Sequence, residues 1–266
     1  MQMMPSFFIA HGAPLLSIEN NAYTEALNQL PSLLPRKPRA IVIFSAHWEA
    51  HDQMVGAMDT FPTIHDFGGF PQALYEIEYP AKGEREVADE TIRLLQEAGI
   101  PVALNTTRGL DHGHWVVLRH IYPDADIPVV ALSVNPNLTV TEQYQIGKAL
   151  SPLRAKDVLI LGSGGTVHNF SYMNLRESDS ATFEWAEQFE DWLQTTLTDW
   201  NVEDLANYRE LAPHAEKAVP AYGTEHFVPL VYVMGAADDE RTAKRLHMSI
   251  RYGSLSHTLW QFGDAK

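Results

Sequence analysis

An α/β fold, with a central, mostly parallel sheet flanked by helices, is predicted by three observations. Short apolar, β-branched runs alternate with amphipathic helical patterns along the chain. The runs are almost continuously apolar, as strands covered on both faces must be. Three of them lead into a histidine: Phe7-Phe8-Ile9-Ala10-His11, Ile41-Val42-Ile43-Phe44-Ser45-Ala46-His47, and Val158-Leu159-Ile160-Leu161 followed by Gly162 to His168. Ligands of open α/β sheets bind outside the carboxyl ends of the strands, so this repeated placement points to one converging site, with a metal ion as its occupant.

Taken in order, buried strands are expected near 6–10, 40–44, 101–104, 128–134 and 158–161. Between 82 and 98, Val87, Ile92, Leu94, Leu95 and Ala98 lie among Glu84, Arg85, Glu86, Asp89 and Glu90, an amphipathic helix that Gly99 stops. A second helix covers 139–150, opening at Thr139 or Thr141. A third covers about 180–198, where the stripe Phe183, Ala186, Phe189, Leu193 and Leu197 reads as core. The stretch 224–236 reads as a cap followed by a buried helix with Pro229 in its first turn, which sets His226 at a helix entrance. Segments 247–253 and 257–262 alternate as a strand pair across a short turn. With no repeat, low-complexity tract or linker, a single domain over 1–266 is expected.

Composition narrows the function classes. The 266 residues carry 19 Lys+Arg against 34 Asp+Glu, a net charge of −15, which repels nucleic acid and anionic membrane surfaces. There is no cysteine, so disulfides, thiolate metal sites, iron–sulfur clusters and cysteine nucleophiles are excluded, and a metal must be held by nitrogen and oxygen. The start of the chain lacks a charged leader, and no apolar run approaches the ~20 residues of a membrane span; a cytoplasmic location is expected. Oligomeric state is not legible.

The histidines at strand ends carry the chemistry. His11 precedes Gly12-Ala13-Pro14, His47 lies between Ala46 and Trp48, and His168 follows Gly162-Ser163-Gly164-Gly165-Thr166, read as a turn permissive in φ. Imidazole suits zinc, iron, copper or nickel, and three protein ligands with open positions make a catalytic site. Competing motifs fail. Val167 breaks a dinucleotide fingerprint, Leu161 breaks a nucleophile elbow around Ser163, and there is no H-E-x-x-H helix or phosphate loop. Asp111-His112-Gly113-His114-Trp115 is read as a loop, and His65-Asp66-Phe67-Gly68-Gly69-Phe70-Pro71 as a surface loop over the site. His65 and His114 are read as structural, and His51, His120, His214, His247 and His257 receive no functional reading. Trp48, Phe70 and Tyr222 are open to two readings, an aromatic wall or core.

These blocks, with Tyr122-Pro123-Asp124-Ala125-Asp126-Ile127-Pro128, Val167-His168-Asn169 and Glu225-His226, resemble the DOPA 4,5-dioxygenase type of class III extradiol ring-cleaving dioxygenases, in the family's order from residue 11 to 226. The resemblance implies a single α/β domain. It also implies a non-haem Fe(II) site, often holding Zn(II) in purified protein, and insertion of O2 beside a catechol. It implies His11, His47 and His226 as metal ligands, His168 as a histidine that binds metal at rest or acts as acid/base, and His112 as a residue near the substrate. His226 stands where related enzymes have a carboxylate, with Glu225 adjacent, so a shift of one residue would restore a two-histidine, one-carboxylate set. The same histidines would also serve a zinc-dependent hydrolase, and a metal-free binding protein on this fold is a further alternative; dependence on Fe(II) and O2 separates them.

Overall fold

In the computed structural model, which describes residues 3–174 and 176–264, eight strands form one sheet. They are β1 (Ser6–Ala10), β2 (Ala40–Glu49), β3 (Gln53–Gly56), β4 (Val102–Asn105), β5 (Val129–Val134), β6 (Val158–Gly164), β7 (Ala243–Arg251) and β8 (Leu255–Phe262). Their spatial order is β4-β3-β5-β2-β6-β1-β8-β7. The central four, β5-β2-β6-β1, are parallel and almost wholly buried, which is why their sequences are unbroken apolar runs. Antiparallel pairing appears only toward the flanks, where β3 meets β5 and where the β7–β8 hairpin joins β1.

Helices cover both faces. Arg85–Glu97 buries Val87, Ala88, Thr91, Leu94 and Leu95 and stops before Gly99, whose φ of 73° suits the left-handed turn. Val140–Ala149 opens on a capping box, with Thr139 accepting from the Glu142 N–H and the Glu142 side chain reaching back to Thr139. Glu184–Thr198 buries Ala186, Phe189, Leu193 and Leu197; Phe183 caps it and is 41% exposed, so the aromatic stripe starts one turn later than its periodicity predicts. Val228–Gly235 is buried on every side, with Pro229 in its first turn as expected. Among the described residues, no helix is long and apolar enough to cross a membrane.

Several elements differ from the sequence expectation. The strand β3 and the helix Ala22–Gln29, opened by an Asn21–Thr24 capping box, are not predicted. β7 begins four residues earlier than expected, with Ala243 pairing to Phe262, and it ends at Arg251 because the hairpin turn lies at 252–254, where Tyr252 and Gly253 take positive φ. The segment read as a loop at 111–115 is the start of a helix, His112–Ile121, with Asp111 as N-cap. His47 lies within β2 and not beyond it, because pairing with β5 resumes at Glu49 after an irregularity.

Candidate metal centre

The glycines before His168 act by absence of volume, not by turn conformation. None of Gly162, Gly164 and Gly165 has positive φ, and the first two lie in β6. A Cβ on Gly162 would stand 2.4 Å from the Pro229 carbonyl oxygen, and one on Gly164 would stand 2.1 Å from that of His226. The bare strand lets the turn Thr224–His226 and the next helix lie directly on the sheet, and the Gly165 N–H donates to the His226 carbonyl at 2.8 Å. From the other side, His11 follows β1 and its N–H donates to the Gly164 carbonyl at 3.1 Å. Distant segments thus deliver His11, His47 and His226 to one point.

Ligand nitrogens of these three residues all lie within 4.8 Å of one another, and His11 Nε2 is 3.0 Å from His47 Nε2. Hydrogen bonds behind two of the rings decide which nitrogen is free. Ser163 Oγ spends its one proton on the Gly113 carbonyl, so at 3.0 Å it must accept from His11 Nδ1. A carboxylate only accepts, so His226 Nδ1 donates to Glu225 Oε1 at 2.8 Å. Both rings are left with Nε2 as the lone-pair nitrogen, and His226 Nε2 is buried without a hydrogen-bond partner. Glu225 is therefore the partner of His226 rather than its replacement.

Burial, reinforced by the neighbouring histidines, holds His11 and His226 well below the usual imidazole pKa. Burial and His112 bring His47 down to about 4, against the opposing pull of Asp111 and Asp66. At neutral pH the three rings are neutral donors. Two buried imidazoles with unprotonated Nε2 atoms, one of them orphaned, converging with the half-buried neutral ring of His47, fit a divalent cation.

A supporting layer holds His47 and His112. The buried Asp111 accepts from Ser45 Oγ at 2.6 Å and from Arg108 Nη2 at 3.1 Å, and lies 2.9 Å from His114 Nδ1. Burial alone would raise its pKa; His114, His47 and Ser45 together pull it well below the carboxylate range. Arg108 also donates to the His47 carbonyl at 2.9 Å and lies over the Trp48 ring. Asp66 accepts from both the backbone N–H and Nδ1 of His112 at 2.9 Å, and its other oxygen is 3.9 Å from His47 Nδ1. Although burial opposes it, the His112 contacts lower the Asp66 pKa.

The cluster floors a cavity of about 450 Å³ lined by His47, Asp66, His112, His168 and His226 with Phe67 and Phe70. His168 stacks on His226 with ring centroids 3.7 Å apart and planes 7° apart. Its nitrogens lie outside the three-residue ligand group, and burial followed by His226 holds its pKa well below normal. Phe70 lines the cavity, whereas Trp48 is buried beneath Arg108 and Tyr222 is 78% exposed away from it. His65 Nε2 donates to the Ile77 carbonyl at 2.9 Å, and His114 sits buried against Asp111. Asp66, Ser163 and Phe67 are the site residues that sequence reasoning did not single out. The loop 65–71 containing two of them is itself legible as a cover over the site.

The chain matches the family described as the catalytic LigB subunit of aromatic ring-opening dioxygenase over residues 5–263. It is 41% identical over 265 residues to 4,5-DOPA dioxygenase extradiol of Escherichia coli (strain K12), covering 98% of this chain and 95% of that protein. It is 38% identical over 260 residues to 4,5-DOPA dioxygenase extradiol of Beta vulgaris, covering 97% of this chain and 96% of the relative. A crystal structure of an uncharacterized Escherichia coli K12 protein superposes with a TM-score of 0.82 at 34% identity, covering 98% of this chain and 100% of that one. With a metal-fitting histidine cluster beneath an aromatic-walled cavity, the chain belongs to the LigB family of extradiol aromatic ring-opening dioxygenases.

Proposed function

We propose that this protein is a non-haem Fe(II) extradiol dioxygenase that opens the ring of DOPA or a related catechol with O2, and that Zn(II) is an ion it carries when purified. The observation that carries the reading is the convergence of three neutral imidazoles, with His226 Nε2 buried and unpartnered, at the floor of an aromatic-walled cavity. His11, His47 and His226 would hold the ion. Bound there, it supplies Lewis acidity toward the catechol oxygens and redox chemistry toward O2.

The remaining steps belong to the protein. A catechol hydroxyl is largely protonated at neutral pH, so a base must take its proton. We assign that role to His168, which is neutral, faces the cavity and is stacked on His226. Contact of His168 with the ion in the resting enzyme is a second role that the resemblance allows. His112 has Nδ1 committed to Asp66, which leaves Nε2 to hydrogen-bond substrate or dioxygen. Phe67 and Phe70 exclude water and hold the ring by its faces and edges.

The test is oxygen uptake by metal-stripped protein reconstituted anaerobically with Fe(II) or with Zn(II), then mixed with DOPA and other catechols. Uptake with Fe(II) alone and a yellow ring-opened product are expected; no uptake with any catechol at full metal occupancy overturns the proposal. His168→Ala should retain metal and lose roughly 10²–10⁴-fold in turnover, the usual contribution of a general base. Full turnover in that variant removes the base assignment.

A further inference from the structure

The charges that line the cavity bear on which ring substituent it can admit. Beyond the histidines its wall is mostly apolar, with Phe67, Phe70, Phe170, Met173 and Leu255 beside the single phenol of Tyr252, and among the described residues no Lys or Arg lines it. Among the described residues, Asp66 is the one acidic side chain that lines it. The cations nearby lie outside the lining and have acceptors or rings of their own: Arg108 Nη2 meets Asp111 and the His47 carbonyl, Arg251 Nη1 meets Asp179 at 3.0 Å, and Lys217 lies over the rings of Tyr172 and Trp185, although the Nε atoms of both arginines are unpartnered. At about 450 Å³ the cavity is within the ~300–1,000 Å³ that buries most of a small ligand. A short arm on the catechol ring ends in this space, where an ammonium can face the Asp66 carboxylate whereas a carboxylate finds no cation. The net charge of −15 adds repulsion at longer range.

On the reading that the substrate is a catechol, we propose that its ring arm carries no net negative charge: an apolar, zwitterionic or ammonium-bearing arm enters, and a carboxylate-only arm is rejected. The rejection is made by an unpaired charge in an apolar wall rather than by shape.

The test uses three diols of similar size, 4-ethylcatechol, 2-(3,4-dihydroxyphenyl)ethylamine and 3,4-dihydroxyphenylacetate, titrated calorimetrically against the Zn(II)-loaded protein without O2. All three share the diol, so anchoring at the histidines is common and the difference reports the arm. The ethyl and ammonium arms should bind at least ~10-fold tighter than the carboxylate arm, and Met173→Lys should shrink that ratio to about threefold or less. Equal or tighter binding of the carboxylate arm in the wild-type protein overturns the charge selection and leaves ring cleavage standing. Failure of all three diols to bind overturns the catechol reading itself, and this inference with it.

Discussion

Gly164→Ala isolates the argument that the glycines of β6 exist to admit the His226 turn. The new Cβ would stand 2.1 Å from the His226 carbonyl oxygen and 3.1 Å from Pro229 Cγ. Relaxed contacts need about 3.5 Å, so the two backbones must separate by about 1.4 Å. That oxygen also accepts the Gly165 N–H, which ties the turn to the strand being enlarged. Overpacking of this kind costs about 1–3 kcal/mol and should lower Tm by roughly 2–10 °C with the fold retained. Metal ligands tolerate about 0.2 Å, so the ion should bind at least 10–100-fold more weakly. Gly165→Ala is the control, because the nearest atoms to its Cβ all belong to the His168 side chain, the closest at 3.3 Å; it should keep the metal and alter turnover. Metal stoichiometry by elemental analysis and affinity by chelator competition read the outcome. Gly164→Ala protein that binds one ion with wild-type affinity would refute the reasoning.

Other consequences follow from the same contacts. Glu225→Ala and Ser163→Ala, which release the protons fixed on His226 and His11 Nδ1, should each weaken metal binding about 10–100-fold with little loss of secondary structure, measured by chelator competition and circular dichroism. Because protons and metal compete for the same nitrogens, and His47 lies at about 4 with His11 and His226 also well lowered, metal should stay bound at pH 5.5 and be released only as pH approaches 4; release near pH 6.5 by equilibrium dialysis would contradict the burial argument. His257 is buried against Tyr23, and burial takes its pKa to about 3. Its folded pKa is depressed below the unfolded value of about 6.5, so stability is full above pH 6.5 and falls as pH drops toward 3, by about 2 kcal/mol between pH 6.5 and 5. His257→Leu should remove that increment from the difference between urea unfolding curves of metal-free protein at the two pH values, and an unchanged pH dependence would show that His257 is not its source.

What was legible in the sequence follows from where the physical constraint acts. β1, β2 and β6 are buried on both faces, so their apolar runs declare them, and His11 and His47 are visible as polar residues at the ends of those runs. β3, only Gln53–Gly56 and without an apolar run, has no comparable signal. The helix His112–Ile121 is masked because Gly113, a poor helix former, stands in its first turn. Its reason is tertiary: a Cβ there would meet Ser45 Oγ at 2.3 Å. A sharper reading was open, since Asp111 before Trp115, Val116, Leu118 and Ile121 is an N-cap before an apolar face. Asp66 and Ser163 were beyond such reading, because their bonds to His112 and His11 join residues 46 and 152 positions apart.

The Glu225-His226 pair is where sequence position and chemistry separate most clearly. A one-residue shift would have made the carboxylate a ligand, and nothing local distinguishes the two registers. The structure does so through hydrogen bonding: Glu225 is turned onto His226 Nδ1, so the negative charge is kept behind the imidazole ring, across a 2.8 Å hydrogen bond, instead of being removed. An imidazole that shares its Nδ1 proton with a carboxylate is a more basic donor at Nε2 than a solvated one. His11 has no such partner, since its Nδ1 meets a serine hydroxyl. The three imidazoles are therefore unequal in donor strength, with His226 the strongest. His168 stacks on that same ring, so a proton gained at His168 would repel charge accumulating on His226. Protonation of the proposed base and the donor strength of the strongest proposed ligand are coupled through the 3.7 Å stack. The His168→Ala variant should consequently change the metal's affinity slightly, and Glu225→Ala should change the pH profile of turnover as well as metal content.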